Sequence, residues 1–145
     1  MSITPRVRDV VRQSWPKPQP RAKRAKKSKA SPPEGFSKQA KAIMLGRSGG
    51  RCEVDDCGPA STCHHRGPRQ LGGTREEWVN QPANGLVVAD RCHLRIELNR
   101  TLAYMNGWLV SRLGKKRAAE VPVLYRGRWV LLDDAGGVRP IGGGA

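Results

Sequence analysis

Apolar residues first fall into a helical rhythm beyond Phe36. In SKQAKAIMLGRSGG, Ala40, Ile43 and Met44 recur at helical spacing, with Gly46 and the Gly49–Gly50 pair placed to stop the helix. The next stretch, RCEVDDCGPASTCHHR, is short and turn-rich and predicts a tight hairpin carrying Cys52 and Cys57. QLGGTREEWVNQPANG is dense in Gly, Asn and Pro and predicts a loop. LVVADRCHLRIELNRTLAYMNG begins apolar and then turns helical, with Leu94, Leu98, Leu102 and Met105 on one stripe and Ile96 off it. WLVSR and VPVLYRGRWVLLDD carry strand patterning, the second as a pair turning at Arg126–Gly127, and GGVRPIGGGA predicts a flexible terminus. The expected fold class is α+β: a hairpin, a long loop and one helix at the centre, a flanking helix before them and a C-terminal β-hairpin after. The expected boundaries are 1–34 for a tail, 36–106 for the central domain, 107–134 for a strand-and-hairpin extension and 135–145 for the flexible terminus.

Charge sharpens this picture. The chain of 145 residues carries a formal net charge of +15, which favours a polyanionic partner, most often nucleic acid. Residues 1–38 hold eleven Lys and Arg against two acids, so +9 of that charge sits in about a quarter of the chain. A segment so charged and so poor in apolar residues cannot bury enough surface to offset its ordering entropy. We therefore expect 1–34 to be a disordered basic tail, with Lys23, Arg24, Lys26 and Lys27 of RAKRAKKSK contacting nucleic acid. No window approaches a membrane span and no secretory leader is evident, so no membrane partner is expected. The expected location is a reducing cytoplasm, where four cysteines are metal ligands or idle thiols.

Two of the three histidines, His64 and His65, are neighbours. Adjacent side chains of a strand point to opposite faces, so the pair cannot serve one core. His93 lies twenty-eight residues beyond His65, near the start of the predicted helix, and Asn84 lies nine residues before His93. Residues 51–100 run RCEVDDCGPASTCHHRGPRQLGGTREEWVNQPANGLVVADRCHLRIELNR. The combination of HHRGPRQLGG, the Asn-to-His spacing and CHLRIELNR resembles the HNH endonucleases, a family of ββα-metal nucleases. It is closest in pattern to the small phage-type enzymes of actinobacterial tailed phages.

The resemblance implies a metal-dependent DNA endonuclease that hydrolyses phosphodiester bonds with a single divalent metal (Mg, Mn, Zn or Ni). It assigns His64 and His93 to the metal, His65 to the general base, and Asn84 to holding the loop and orienting His65. Those groups suit the reaction, which needs a proton acceptor for water and a cation to offset charge on the phosphate. Glu97, one turn beyond His93, is either a further ligand or a helix glutamate pairing with Arg100. Arg66 and Arg69, in the basic turn after the histidines, are expected to contact DNA. Phage terminase subunits are the protein partners that the resemblance suggests.

Many members of that family also bind a structural zinc between two C-x-x-C knuckles. Here Cys52 and Cys57 are spaced C-x-x-x-x-C, and the position three before Cys92 is Ala89. Structural zinc takes four ligands. Cys52, Cys57 and Cys92 supply three, and Cys63 is either the fourth or a small buried apolar residue. The alternative function is a non-catalytic, basic, zinc-ribbon-like nucleic-acid-binding protein. It needs a complete thiol set and is indifferent to His65 and Asn84.

Overall fold

The structure is a computed structural model that describes residues 35–70 and 74–142. The expected tail, with Lys23, Arg24, Lys26 and Lys27, lies outside the described residues. Helix α1, Lys38–Ser48, starts where the Ser37 hydroxyl accepts a hydrogen bond from the Ala40 amide, relieving one of the unpaired N–H groups of the first turn. Gly46 passes through the helix. The stop is Gly49, left-handed at φ 66°, whose N–H reaches back to the Leu45 carbonyl.

Strands β1 (Thr62–His65) and β2 (Gly85–Val88) pair antiparallel, with Cys63 opposite Val87 and His64 opposite Leu86. Every residue of β2 is buried, which explains its unbroken apolar run: both faces are covered. On one face Phe36, Ala40 and Met44 close over Val87. On the other, Leu86 and Val88 join Cys92 and Ile96 in the main core, which continues to Trp108, Val123 and Val130. Between the two strands the predicted loop contains two short 3-10 turns, Glu77–Asn80 and Pro82–Asn84.

The single predicted helix is two: α2, Asp90–Leu98, and α3, Arg100–Met105. Asn99 leaves the helical region at φ −129°, ψ 73°, and its side chain caps the second helix by accepting from the Leu102 amide. Within α2 the buried face is the one that carries Cys92 and Ile96. Ile96, placed off the stripe by periodicity, is 1% exposed, whereas Leu94, Leu98 and Met105 are 58%, 78% and 71% exposed.

Beyond α3 the WLVSR segment is not a strand. It crosses the body as an extended connection, with the Val110 amide donating to the Arg66 carbonyl and Trp108 Nε1 to the Leu124 carbonyl. Strands β3 (Val123–Tyr125) and β4 (Arg128–Leu132) form the predicted hairpin. Its two turn residues, Arg126 at φ 48° and Gly127 at φ 79°, take the doubly left-handed geometry that matches strand twist. The terminus expected to be flexible adds a third strand, β5 (Val138–Pro140), on β4. Asp133 makes this possible by accepting from the Ala135 and Gly137 amides at the turn. The molecule is thus a small mixed α+β protein with one two-stranded and one three-stranded antiparallel sheet.

Two buried cations organise the interior. Arg47 and Glu53, both with fully buried side chains, form a two-pronged pair at 2.6 and 2.7 Å. Arg47 also donates to the Pro82 and Gly85 carbonyls, and Glu53 accepts from the Val87 amide. Arg66, expected to touch DNA, is wholly buried instead. Its guanidinium donates to the carbonyls of Ala83, Gly107, Ala118, Val121 and Pro122. Burial pulls its pKa down to about 9, so it remains charged at neutral pH while serving as an internal tie. Arg69 is exposed.

Candidate metal centre

The pleat of β1 separates the two adjacent histidines. His64 faces α2 and is buried, with Nε2 2.9 Å from the Trp108 carbonyl. A carbonyl can only accept, so Nε2 carries the proton and Nδ1 keeps its lone pair. A ring nitrogen tied to a backbone carbonyl is the usual support of a metal-binding histidine, because it fixes both tautomer and ring orientation. Burial lowers the His64 pKa to about 4, despite the Trp108 carbonyl favouring the protonated form, so the ring is neutral and able to ligate.

His93 and Glu97, one turn apart on α2, complete the cluster. One ligand atom from each of His64, His93 and Glu97 lies within 4.8 Å of the others. The His64 and His93 rings meet edge to face at 5.4 Å between centroids. Glu97 lies near both His93 and Arg100, with Oε1 3.9 Å from His93 Nε2 and Oε2 3.7 Å from Arg100 Nη1. The His93 and Glu97 side chains are 37% and 48% exposed, so the cluster runs from a buried anchor to an open rim. Two imidazoles and a carboxylate on an open rim suit a divalent ion with coordination positions left for further ligands.

His65 points to the opposite face. Its ring stacks on Phe36, 3.9 Å between centroids at 13°, and its Nε2 lies 3.1 Å from Asn80 Oδ1. With Nε2 donating to Asn80, Nδ1 is the free acceptor. Burial lowers the His65 pKa, the Asn80 hydrogen bond opposes this, and the Arg69 charge adds to it. The expected partner Asn84 does not touch His65. Fully buried, it accepts from the Gly67 amide at 2.6 Å and donates to the Gly67 and Val79 carbonyls. It therefore ties the end of β1 to the 3-10 turn that carries Asn80, acting on His65 at one remove.

The cysteines form a second cluster. Cys52, Cys57 and Cys92 converge, and the fourth donor within 4.8 Å is Asp55. Cys92 Sγ is 3.3 Å from Cys57 Sγ and 3.1 Å from Asp55 Oδ1. Cys63 is not among them. It shares the α1-facing side of β1 with His65 and packs against the Phe36, Ala40, Met44 and Val87 cluster, where burial raises its thiol pKa. Strand parity thus points Cys63 away from the other thiols, as a half-buried apolar residue packed against the smaller core cluster. Cysteine thiolates and an aspartate oxygen are all donor types that tetrahedral zinc accepts. Around them Arg91 donates to the Cys57 carbonyl and Arg95 lies 3.4 Å from Asp55, offsetting the charge that ionised ligands bring.

Asp55 and Asn80 are site residues that the sequence pattern does not single out. Asp55 had a signal, since it stands three residues after Cys52, where a C-x-x-C knuckle places its second thiol. Asn80 had none beyond its place in an Asn- and Pro-rich loop. Among the described residues, no helix is long and apolar enough to cross a membrane. No family model, curated protein or solved structure matches the chain.

Proposed function

We propose that the protein is a metal-dependent DNA endonuclease of the HNH type, hydrolysing phosphodiester bonds. One observation carries the reading: one ligand atom from each of His64, His93 and Glu97 lies within 4.8 Å of the others, a cluster able to hold a divalent ion. His64, His93 and Glu97 would hold the ion, which when bound offsets charge on the phosphate and the leaving oxygen. His65 Nδ1 takes the proton from the attacking water, and its lowered pKa keeps it unprotonated near neutrality. Asn80 fixes the tautomer that leaves Nδ1 free, and Asn84 positions Asn80 through the Val79 carbonyl. Phe36 holds the plane of the ring.

The second cluster supports a structural zinc held by Cys52, Asp55, Cys57 and Cys92. It joins the turn at 52–57 to the first part of α2, a junction that the small core alone has little area to secure.

The test is plasmid cleavage with Mg²⁺, Mn²⁺, Zn²⁺ and Ni²⁺ in turn, beside EDTA and a His65→Ala control. Metal-dependent cutting lost in both controls supports the reading. Binding without cutting under every ion replaces it with the basic, zinc-ribbon-like nucleic-acid-binding protein.

A further inference from the structure

Away from the histidines, the surface holds a cavity of about 480 Å³. Its walls carry four cations, Arg112, Lys115, Lys116 and Arg117, against two carboxylates, Glu76 and Glu77. Glu76 is already committed, accepting from Arg112 Nη2 at 2.7 Å and from Trp78 Nε1 at 2.6 Å. The Arg112 side chain is only 12% exposed. Its Nε and Nη1 are buried with no hydrogen-bond partner among the described residues. Guanidinium N–H groups left unpaired out of water are costly, and an oxyanion in the cavity adds the negative charge this wall lacks.

The cavity is also placed to matter. Its wall at Trp78 belongs to the 3-10 turn whose Asn80 holds His65. Its wall at Arg112 belongs to the segment whose Trp108 carbonyl holds His64 and whose Val110 amide pairs with Arg66. The two segments that support the histidine pair are the two that frame the basic cavity.

We propose that this cavity binds a backbone phosphate of the DNA substrate, flanking the scissile linkage, and so sets the register of the strand at the histidines. The proposal rests on the nuclease reading but is measured through binding. Phosphate contacts of this kind position a nucleic acid without reading its sequence.

The experiment uses the full chain carrying His65→Ala, a fluorescein-labelled duplex and EDTA, followed by anisotropy over a salt series. Lys115→Ala/Lys116→Ala removes two exposed cations from the cavity. Arg128→Ala/Arg139→Ala removes two exposed cations from the three-stranded sheet as a charge-matched control. The cavity variant should show weaker binding and a slope of log K against log salt shallower by about 0.9 for each phosphate no longer neutralised, beyond any change in the control. In the otherwise wild-type chain, the same cavity substitutions should raise KM with kcat nearly unchanged. Inorganic phosphate should compete with duplex for the parent protein and not for the cavity variant.

A slope equal to that of the control overturns the proposal. So does phosphate binding that leaves duplex affinity unchanged, which would mark a free-anion site, or a parent protein that binds no duplex. A parent that binds with the expected slope while the active chain cuts nothing removes the nuclease reading and leaves the phosphate site standing.

Discussion

His65 is half-buried and is held by one hydrogen bond, to Asn80, and by one stacked ring, that of Phe36 in the smaller core cluster. Its loss should tell on chemistry far more than on the fold. His65→Ala is expected to cut plasmid about 10²–10⁴-fold more slowly, while divalent-ion binding measured by calorimetry persists. Cutting at the wild-type rate removes His65 from the mechanism. Glu53 makes the opposite case: it is fully buried and is the counter-charge of the buried Arg47. Glu53→Gln leaves that guanidinium without its anion, and urea unfolding should show a loss of about 3–5 kcal/mol. A loss below about 1 kcal/mol would mean that the carbonyls of Pro82 and Gly85 suffice for Arg47. The histidines were legible in the sequence because few residues of that type occur and their spacing carries chemistry. Arg66 was not, because in a chain of net charge +15 any arginine reads as surface. Only the folded chain brings five carbonyls from separate segments around it.

Among the elements, α2 shows where periodicity misleads. Leu94, Leu98, Leu102 and Met105 make a helical stripe only if the helix is continuous, and Asn99 breaks it. What settles the buried face is the cysteine turn and β2, which claim Cys92 and Ile96 for the main core. Ile96→Ala should cost about 2–5 kcal/mol, whereas Leu98→Ala should stay within about 0.5 kcal/mol. Equal losses in thermal or urea unfolding would restore the continuous stripe. The turn at 52–57 was half legible: the thiols were evident, but the fourth donor depended on which way Cys63 points, a matter of strand parity. Asp55→Ala should release zinc during dialysis against EDTA, and Cys63→Ser should retain about one equivalent by elemental analysis. Retention in the first, or loss in the second, overturns the Asp55 assignment.

At the scale of the molecule, the basic residues of 1–34 are proposed as a second source of affinity for a polyanion. Deleting them should leave a core that cleaves DNA but binds it with a shallower salt slope, by about 0.9 for every phosphate the tail had neutralised. An unchanged slope assigns the tail to solubility alone. The two donor clusters are not independent parts, because Cys92 and His93 are consecutive residues in the first turn of α2 and each belongs to one of them. An ion at the cysteines fixes the turn on which His93 stands, so less conformational entropy remains to be lost when the second ion arrives. Thermodynamic linkage makes that gain reciprocal: whatever factor zinc adds to the affinity of the histidine cluster, an ion there returns to zinc. Loss of the ion at the cysteines should therefore weaken ion binding at the histidines, so that the proposed activity depends on zinc supply as well as on the divalent ion it uses directly.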